Sequence, residues 1–206
     1  MANVNAANGL SPVMHLNGAP WNQQVQLYRI PSGDTSQYGI GDIVKLAAGA
    51  DANGVPDIAK AVNSDAGPVG VLVGIDPVLT AGTSLQGTSL TLETIAIPAT
   101  KTKAYYVYVV TDPSVLYEVQ ADNTGTLTAS TWITSNAKVV VGNPATNSPY
   151  SGTVLDSTSF AVTSSLMFTV VGLTTKPGAD FTAYTRFLVK FNKHAYFGTF
   201  TAPATL

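Results

Sequence analysis

The chain has 206 residues, 45% of them hydrophobic and only 11% charged, with a formal net charge of −2 and no cysteine. That length suits one domain that buries roughly 70% of its unfolded surface. The charge balance leaves no basic stripe for phosphate, so nucleic acid is not expected as a direct ligand, and the lack of cysteine excludes disulfides and thiolate sites.

Residues 1–24 mix Asn, Ala, Gly and Pro with isolated apolar anchors, Leu10, Val13, Leu16 and Trp21, and follow neither a helical nor a strand period. They read as an extended N-terminal arm ahead of a single β-domain over 25–206. The anchors either reach a neighbouring molecule or cover an open edge of their own sheet. MANVNAANGLSPVMHLNG has no charged leader and no apolar core of a secretory signal, so synthesis in the cytoplasm is expected. No stretch approaches the ~20 apolar residues of a membrane span, and no membrane partner is expected.

Beyond the arm, Asp outnumbers Glu ten to two, and Thr, Val and Tyr are abundant. That bias favours strands and turns over helices. Strands are predicted at 25–30, 42–46, 57–62, 68–75, 91–97, 104–110, 115–120, 138–141, 166–173, 184–192 and 194–200. One weak helix is predicted at 126–137, where Leu127 and Trp132 share a face, and a polar loop or weak strand pair at 143–165. Short strands separated by Gly, Pro, Asn and Ser clusters predict an all-β fold, a sandwich or a barrel.

Two turns are explicit. Asp51-Ala52-Asn53-Gly54 places Asn-Gly where a tight loop needs positive φ. In Thr111-Asp112-Pro113-Ser114 the proline pre-sets the second position of a type I turn and Asp112 accepts from backbone N–H groups ahead of it. The flanking runs AYYVYVV and VLYEVQ therefore read as a β-hairpin. In the second run Val115, Tyr117 and Val119 alternate with Leu116, Glu118 and Gln120, one dry face and one wet. In the first, Tyr105, Val107 and Val109 oppose Tyr106, Tyr108 and Val110, and neither face suits water. Cover on both sides is implied, from a facing sheet on one and from the arm or a second subunit on the other.

Catalytic patterns are thin. The histidines, His15 and His194, stand in no zinc-binding spacing. Glu93 and Glu118 are the only glutamates, and a glycosidase pair would require one of them to face a second carboxylate. GTSLQG lacks the closing glycine of a nucleophile elbow. DANGVPD offers Asp51, Asn53 and Asp57 to a cation but lacks the sixth-position glycine and terminal glutamate of a calcium loop. The chain is expected to be no enzyme, with no cofactor and no metal. Tyr105, Tyr106, Tyr108 and Tyr117 suit cores and subunit contacts or stacking on sugars.

In order along the chain, NGLSPVMHLNGAPW, YRIPSGDTSQYGIGDIVKL, DANGVPDIAKA, GPVGVLVGI and AYYVYVVTDPSVLYEVQAD resemble a family of structural proteins of tailed bacteriophages. The matching positions are Gly9 and Pro12, Tyr28 and Ile30, Ile40 to Val44, Gly70 to Ile75, and Asp112, Pro113, Glu118, Val119 and Gln120. The resemblance covers about residues 8–122 and fades beyond. It implies a jelly-roll-like β-sandwich that serves as a head decoration, or cement, protein on the capsid exterior of a virion. Its partners would be the major capsid protein and further copies of itself as a homodimer or homotrimer. The expected interface residues are Leu10, Val13, Leu16, Trp21, Tyr105, Tyr106 and Tyr108. The alternative is a tail, neck or fibre-associated module that binds host glycans.

Overall fold

The structure is a computed structural model that describes residues 3–63, 67–76, 96–125, 132, 135–174 and 181–197. Among these the fold is all-β, as expected. The strands are β1 (Ser11–His15), β2 (Gln26–Ile30), β3 (Ile43–Ala50), β4 (Pro56–Lys60), β5 (Pro68–Ile75), β6 (Tyr105–Val110), β7 (Val115–Gln120), β8 (Asn136–Ala137), β9 (Val139–Val140), β10 (Val154–Leu155), β11 (Phe168–Leu173) and β12 (Arg186–Phe191). Five of them close into a barrel in the order β2-β4-β3-β5-β6, and another five form a sheet in the order β1-β7-β12-β11-β8. These pairings do not establish the jelly-roll connectivity.

The barrel closes where β2 runs parallel to β4, at a single register pair, Arg29 opposite Asp57. A seam that short in backbone pairing is reinforced by side chains: Arg29 donates from Nε and Nη2 to the two Asp57 carboxylate oxygens at 2.6 and 2.9 Å. This forked geometry is the strongest form of ion pair.

Two apolar layers account for the doubly apolar strands. Tyr28, Ile30, Val44, Ile58, Leu72, Tyr105, Val107 and Val109 fill the barrel. Their neighbours Ile43, Val71 and Val110 point outward and pack with Tyr117, Val119, Phe168, Phe187 and Val189 from the sheet. Barrel strands facing the sheet are thus dry on both sides, and successive side chains divide between two cores.

Three readings need correction. AYYVYVV and VLYEVQ flank the expected turn, with the Val115 N–H donating to the Asp112 carbonyl at 3.2 Å and the Ser114 N–H to Asp112 Oδ1 at 2.8 Å. The two strands nonetheless do not form a hairpin. Both edges of β6 are taken by β2 and β5, so the chain leaves the barrel at the turn and β7 pairs with β1 and β12. β7 also has no wet face, for all six residues are buried. Arg186 Nη1 reaches Glu118 at 3.1 Å and the Ala6 N–H reaches Gln120 Oε1 at 2.8 Å, so its polar side chains are covered and satisfied. Finally, Asn136–Ala137, placed in the predicted helix, is strand β8.

Residues 126–131 and 133–134 of that helix, 91–95 of the strand carrying Glu93, and 198–200 of the last predicted strand lie outside the described residues. Within 143–165 the one strand is β10, and it pairs with β9, which lies ahead of that segment. The DANG segment does join β3 to β4, with Gly54 at φ +81°.

The Ile40-Gly41-Asp42 stretch joins three parts of the chain. Leu10 N–H donates to the Gly41 carbonyl at 3.0 Å, while the Ile40 N–H donates to the Pro149 carbonyl at 2.7 Å and the Ile40 carbonyl accepts the Ser151 N–H at 2.8 Å. Gly41 (φ +94°) and Gly9 (φ +65°) lie so close that a Cβ on Gly41 would stand 2.5 Å from the Asn8 carbonyl oxygen. Asp42, fully buried, takes the Lys60 ammonium at 3.0 Å and the Ser151 hydroxyl at 2.5 Å. Burial pushes its carboxyl up against the pull of those two partners.

Candidate interaction surface

The seven expected interface residues separate into groups. Leu10 and Tyr105 are buried within their own chain, Leu10 in the layer between barrel and sheet and Tyr105 in the barrel. Tyr106 and Tyr108 lie half-buried on the barrel exterior, where their hydroxyls donate to Asp51 at 2.7 Å and Asp76 at 2.5 Å. Those hydrogen bonds raise both phenol pKa values, since an ionised phenolate would face a carboxylate. Val13 and Leu16 are exposed, and Trp21 is half-buried against the core.

The arm itself lies along the edge of its own sheet. β1 pairs antiparallel with β7, and residues 16–19 turn the chain back so that the Trp21 N–H donates to the Val13 carbonyl at 3.2 Å. The free edge of β1 is covered by the segment that follows it, one of the ordinary ways of blunting a strand edge.

His15, Asp112 and Ser114 come together at the β6–β7 turn, yet they are not a hydrolase triad. Asp112 Oδ2 at 3.1 Å and Ser114 Oγ at 3.3 Å both address His15 Nδ1. A relay requires the carboxylate on one ring nitrogen and the nucleophile on the other. Partial burial works against ionisation of Asp112, but the Ser114 N–H and hydroxyl and His15 outweigh it and hold its carboxyl below the usual range. Glu118 is occupied by Arg186 and by the Thr174 hydroxyl at 3.0 Å. The DANGVPD carboxylates are engaged as well: Asp51 Oδ1 accepts the Asn53 and Val55 N–H groups, both at 2.8 Å, and Asp57 holds Arg29. Among the described residues no group of three or more His, Asp or Glu could hold a metal ion.

What the turn does position is surface. On one side, Leu16, Pro113, Ser114, Lys190, Phe191 and Phe197 line a mostly apolar depression of about 210 Å³. Leu16 is 53% exposed and Phe197 73%, large values for such side chains. On the other side, Gln24, Val25, Gln26, Thr111, Asp112 and Tyr196 line a trough of about 490 Å³. Through the shared Val25 it meets a second hollow of about 410 Å³, walled by Trp21, Gln23, Val73, Gly74 and Tyr108 among others.

Tyr196, Phe197 and the three glutamines escaped the sequence reading. HAYFGTF was predicted to be a strand, but residues 194–197 form a turn closed by the Phe197 N–H on the His194 carbonyl at 3.2 Å. Nothing in the local pattern marks which of its aromatic rings faces water. No protein family, no curated protein and no solved structure matches this chain.

Proposed function

We propose that this chain is a non-enzymatic adhesive module of a virion, a head decoration protein of a tailed bacteriophage that docks on the outer face of the major capsid protein. The observation that carries the reading is the depression beside the β6–β7 turn, where Leu16 and Phe197 stand exposed around Pro113 and Phe191. Exposed apolar side chains gathered in one place, on a chain only 11% charged, are what a docking surface requires. The ordered resemblance over residues 8–122 supplies the kind of assembly.

The mechanism is linkage. A protein that binds the assembled shell and not its separated subunits stabilises the shell by its binding free energy. About 1,000 Å² of contact suffices for specific association, and joining copies into a dimer or trimer adds avidity.

The test adds the full chain to purified heads lacking it and measures co-sedimentation and the temperature at which the heads release DNA. Wild-type chain should bind and raise that temperature. The double variant Leu16→Asp/Phe197→Asp, exposed at both positions and therefore still folded, should do neither. Heads that ignore the wild-type chain, or bind the variant equally well, overturn the reading.

A further inference from the structure

We infer that the trough on the opposite side of the β6–β7 turn is a binding site for a neutral oligosaccharide. This goes beyond shell docking and uses different residues.

Three features of the trough favour sugar over other ligands. Aromatic rings from three distant segments line the trough and the hollow it joins at Val25, Tyr196 in the first and Trp21 and Tyr108 in the second. The C–H face of a pyranose packs on such rings, and tyrosine and tryptophan combine an apolar body with a polar tip. Gln24 lines the trough and Gln23 the adjoining hollow, and their side-chain amides make no hydrogen bond among the described residues. Each presents a carbonyl and an NH₂ group, the donor and acceptor pairing that sugar hydroxyls need. Among the described residues no Lys or Arg lines the trough or the hollow it joins, and the one carboxylate there, Asp112, is engaged within its own turn by the Ser114 N–H at 2.8 Å and by His15 Nδ1 at 3.1 Å.

The backbone keeps the site open. Gly74 stands opposite Tyr108 in the β5–β6 ladder, and a Cβ there would lie 3.6 Å from Tyr108 Cδ2. Glycine leaves that flank of the ring bare, as happens where a ligand approaches a strand closely. Gln23 is held at φ +64°, the left-handed region that a non-glycine residue seldom adopts. Strain of this kind collects at binding sites.

The experiment probes the full chain against an array of short neutral oligosaccharides of glucose, galactose, mannose and N-acetylglucosamine. Acidic glycans and proline-rich peptides serve as competing classes, and titration calorimetry follows. The expected result is saturable binding to at least one neutral series. Two variants should weaken it at least about tenfold, a loss of about 1.4 kcal/mol: Gln24→Ala, and Gly74→Val, which fills the space beside Tyr108. Gly74 has no positive φ and meets only ordinary contacts, so the valine should leave the thermal midpoint unchanged or higher. Binding confined to acidic glycans or to peptides, no binding by the folded chain, or neutral-glycan binding untouched by both variants overturns the inference. None of these outcomes depends on whether the chain docks on shells.

Discussion

Replacing Gly41 by alanine tests why the Gly-Asp segment matters, and the structure supplies its own controls. At φ +94° an alanine pays roughly 1–2 kcal/mol for left-handed backbone. Its Cβ would also stand 2.5 Å from the Asn8 carbonyl oxygen and 2.9 Å from the Leu10 nitrogen, backbone atoms that cannot swing away. Separating them strains the Leu10 N–H bond to the Gly41 carbonyl, 3.0 Å long, a bond worth about 1 kcal/mol net. The expected loss is about 3 kcal/mol, which lowers the urea midpoint by about 1 M at a slope near 3 kcal/mol/M. Gly18 has φ +86° and nothing within 4 Å of its Cβ position. Gly18→Ala therefore isolates the conformational part, about 1–2 kcal/mol. Gly9→Ala should resemble Gly41→Ala, because its Cβ would lie 2.6 Å from the Gly41 carbonyl oxygen. The double variant should cost less than the sum, since both changes spoil one contact. If Gly41→Ala and Gly18→Ala agree within about 0.5 kcal/mol, the close approach of the arm is not what requires glycine, and the reasoning fails.

Other expected outcomes follow from single side chains. His194 accepts the Tyr196 N–H at Nδ1, 3.2 Å away, and burial holds its imidazole below the ordinary histidine range despite the Val69 backbone. Below pH ~6.5 the unfolded chain takes up the proton first, so this contribution to stability is present above that pH and lost as pH falls. Thermal midpoints of wild type and His194→Gln, compared from about pH 7.5 to about 5.5, should converge as acid is added; a constant gap would count against the assignment. Lys101, fully buried at its side chain, donates to the Asp34 and Ser36 carbonyls at 2.7 and 2.6 Å and to Asp34 Oδ1 at 3.1 Å. Lys101→Met should cost about 3 kcal/mol by stranding the Asp34 carboxylate, and adding Asp34→Asn should recover part of it in urea unfolding. Phe187→Ala removes a fully buried ring packed on Trp132, with centroids 5.2 Å apart. It should cost about 3–5 kcal/mol by the same measurement, whereas a loss under about 1 kcal/mol would mean that barrel and sheet do not share that core.

Strand positions were legible because they depend on local alternation. PVGVLVGI and VLYEVQ begin and end where the pattern places them, and the Asp112-Pro113 turn forms as its chemistry dictates. Pairing was not legible, because a tight turn between two apolar runs looks the same whether it folds back as a hairpin or crosses to another sheet. The choice was made far away, by β2 and β5 occupying both edges of β6. Glu118 and Gln120 looked solvent-facing for the same reason: their cover comes from Arg186 and residue 6, about 70 and 110 positions distant. The trough assembles from residues near 21–26, 73–74, 108–112 and 196, and no local pattern announces such a meeting.

The Tyr/Val strand decides how much adhesion the fold itself demands. A strand apolar on both faces has two physical solutions, a second layer within the chain or a partner outside it. Here the chain supplies the layer: Tyr105, Val107 and Val109 face the barrel interior, Val110 faces the sheet, and Tyr106 and Tyr108 spend their hydroxyls on Asp51 and Asp76. The barrel core is therefore complete in one copy, and β6 requires no second subunit. Any docking rests on side chains that the two cores leave over, Leu16 and Phe197 foremost. Substituting those two should abolish adhesion at little cost in stability, while substituting Tyr105 should unfold the barrel whether or not a shell is present.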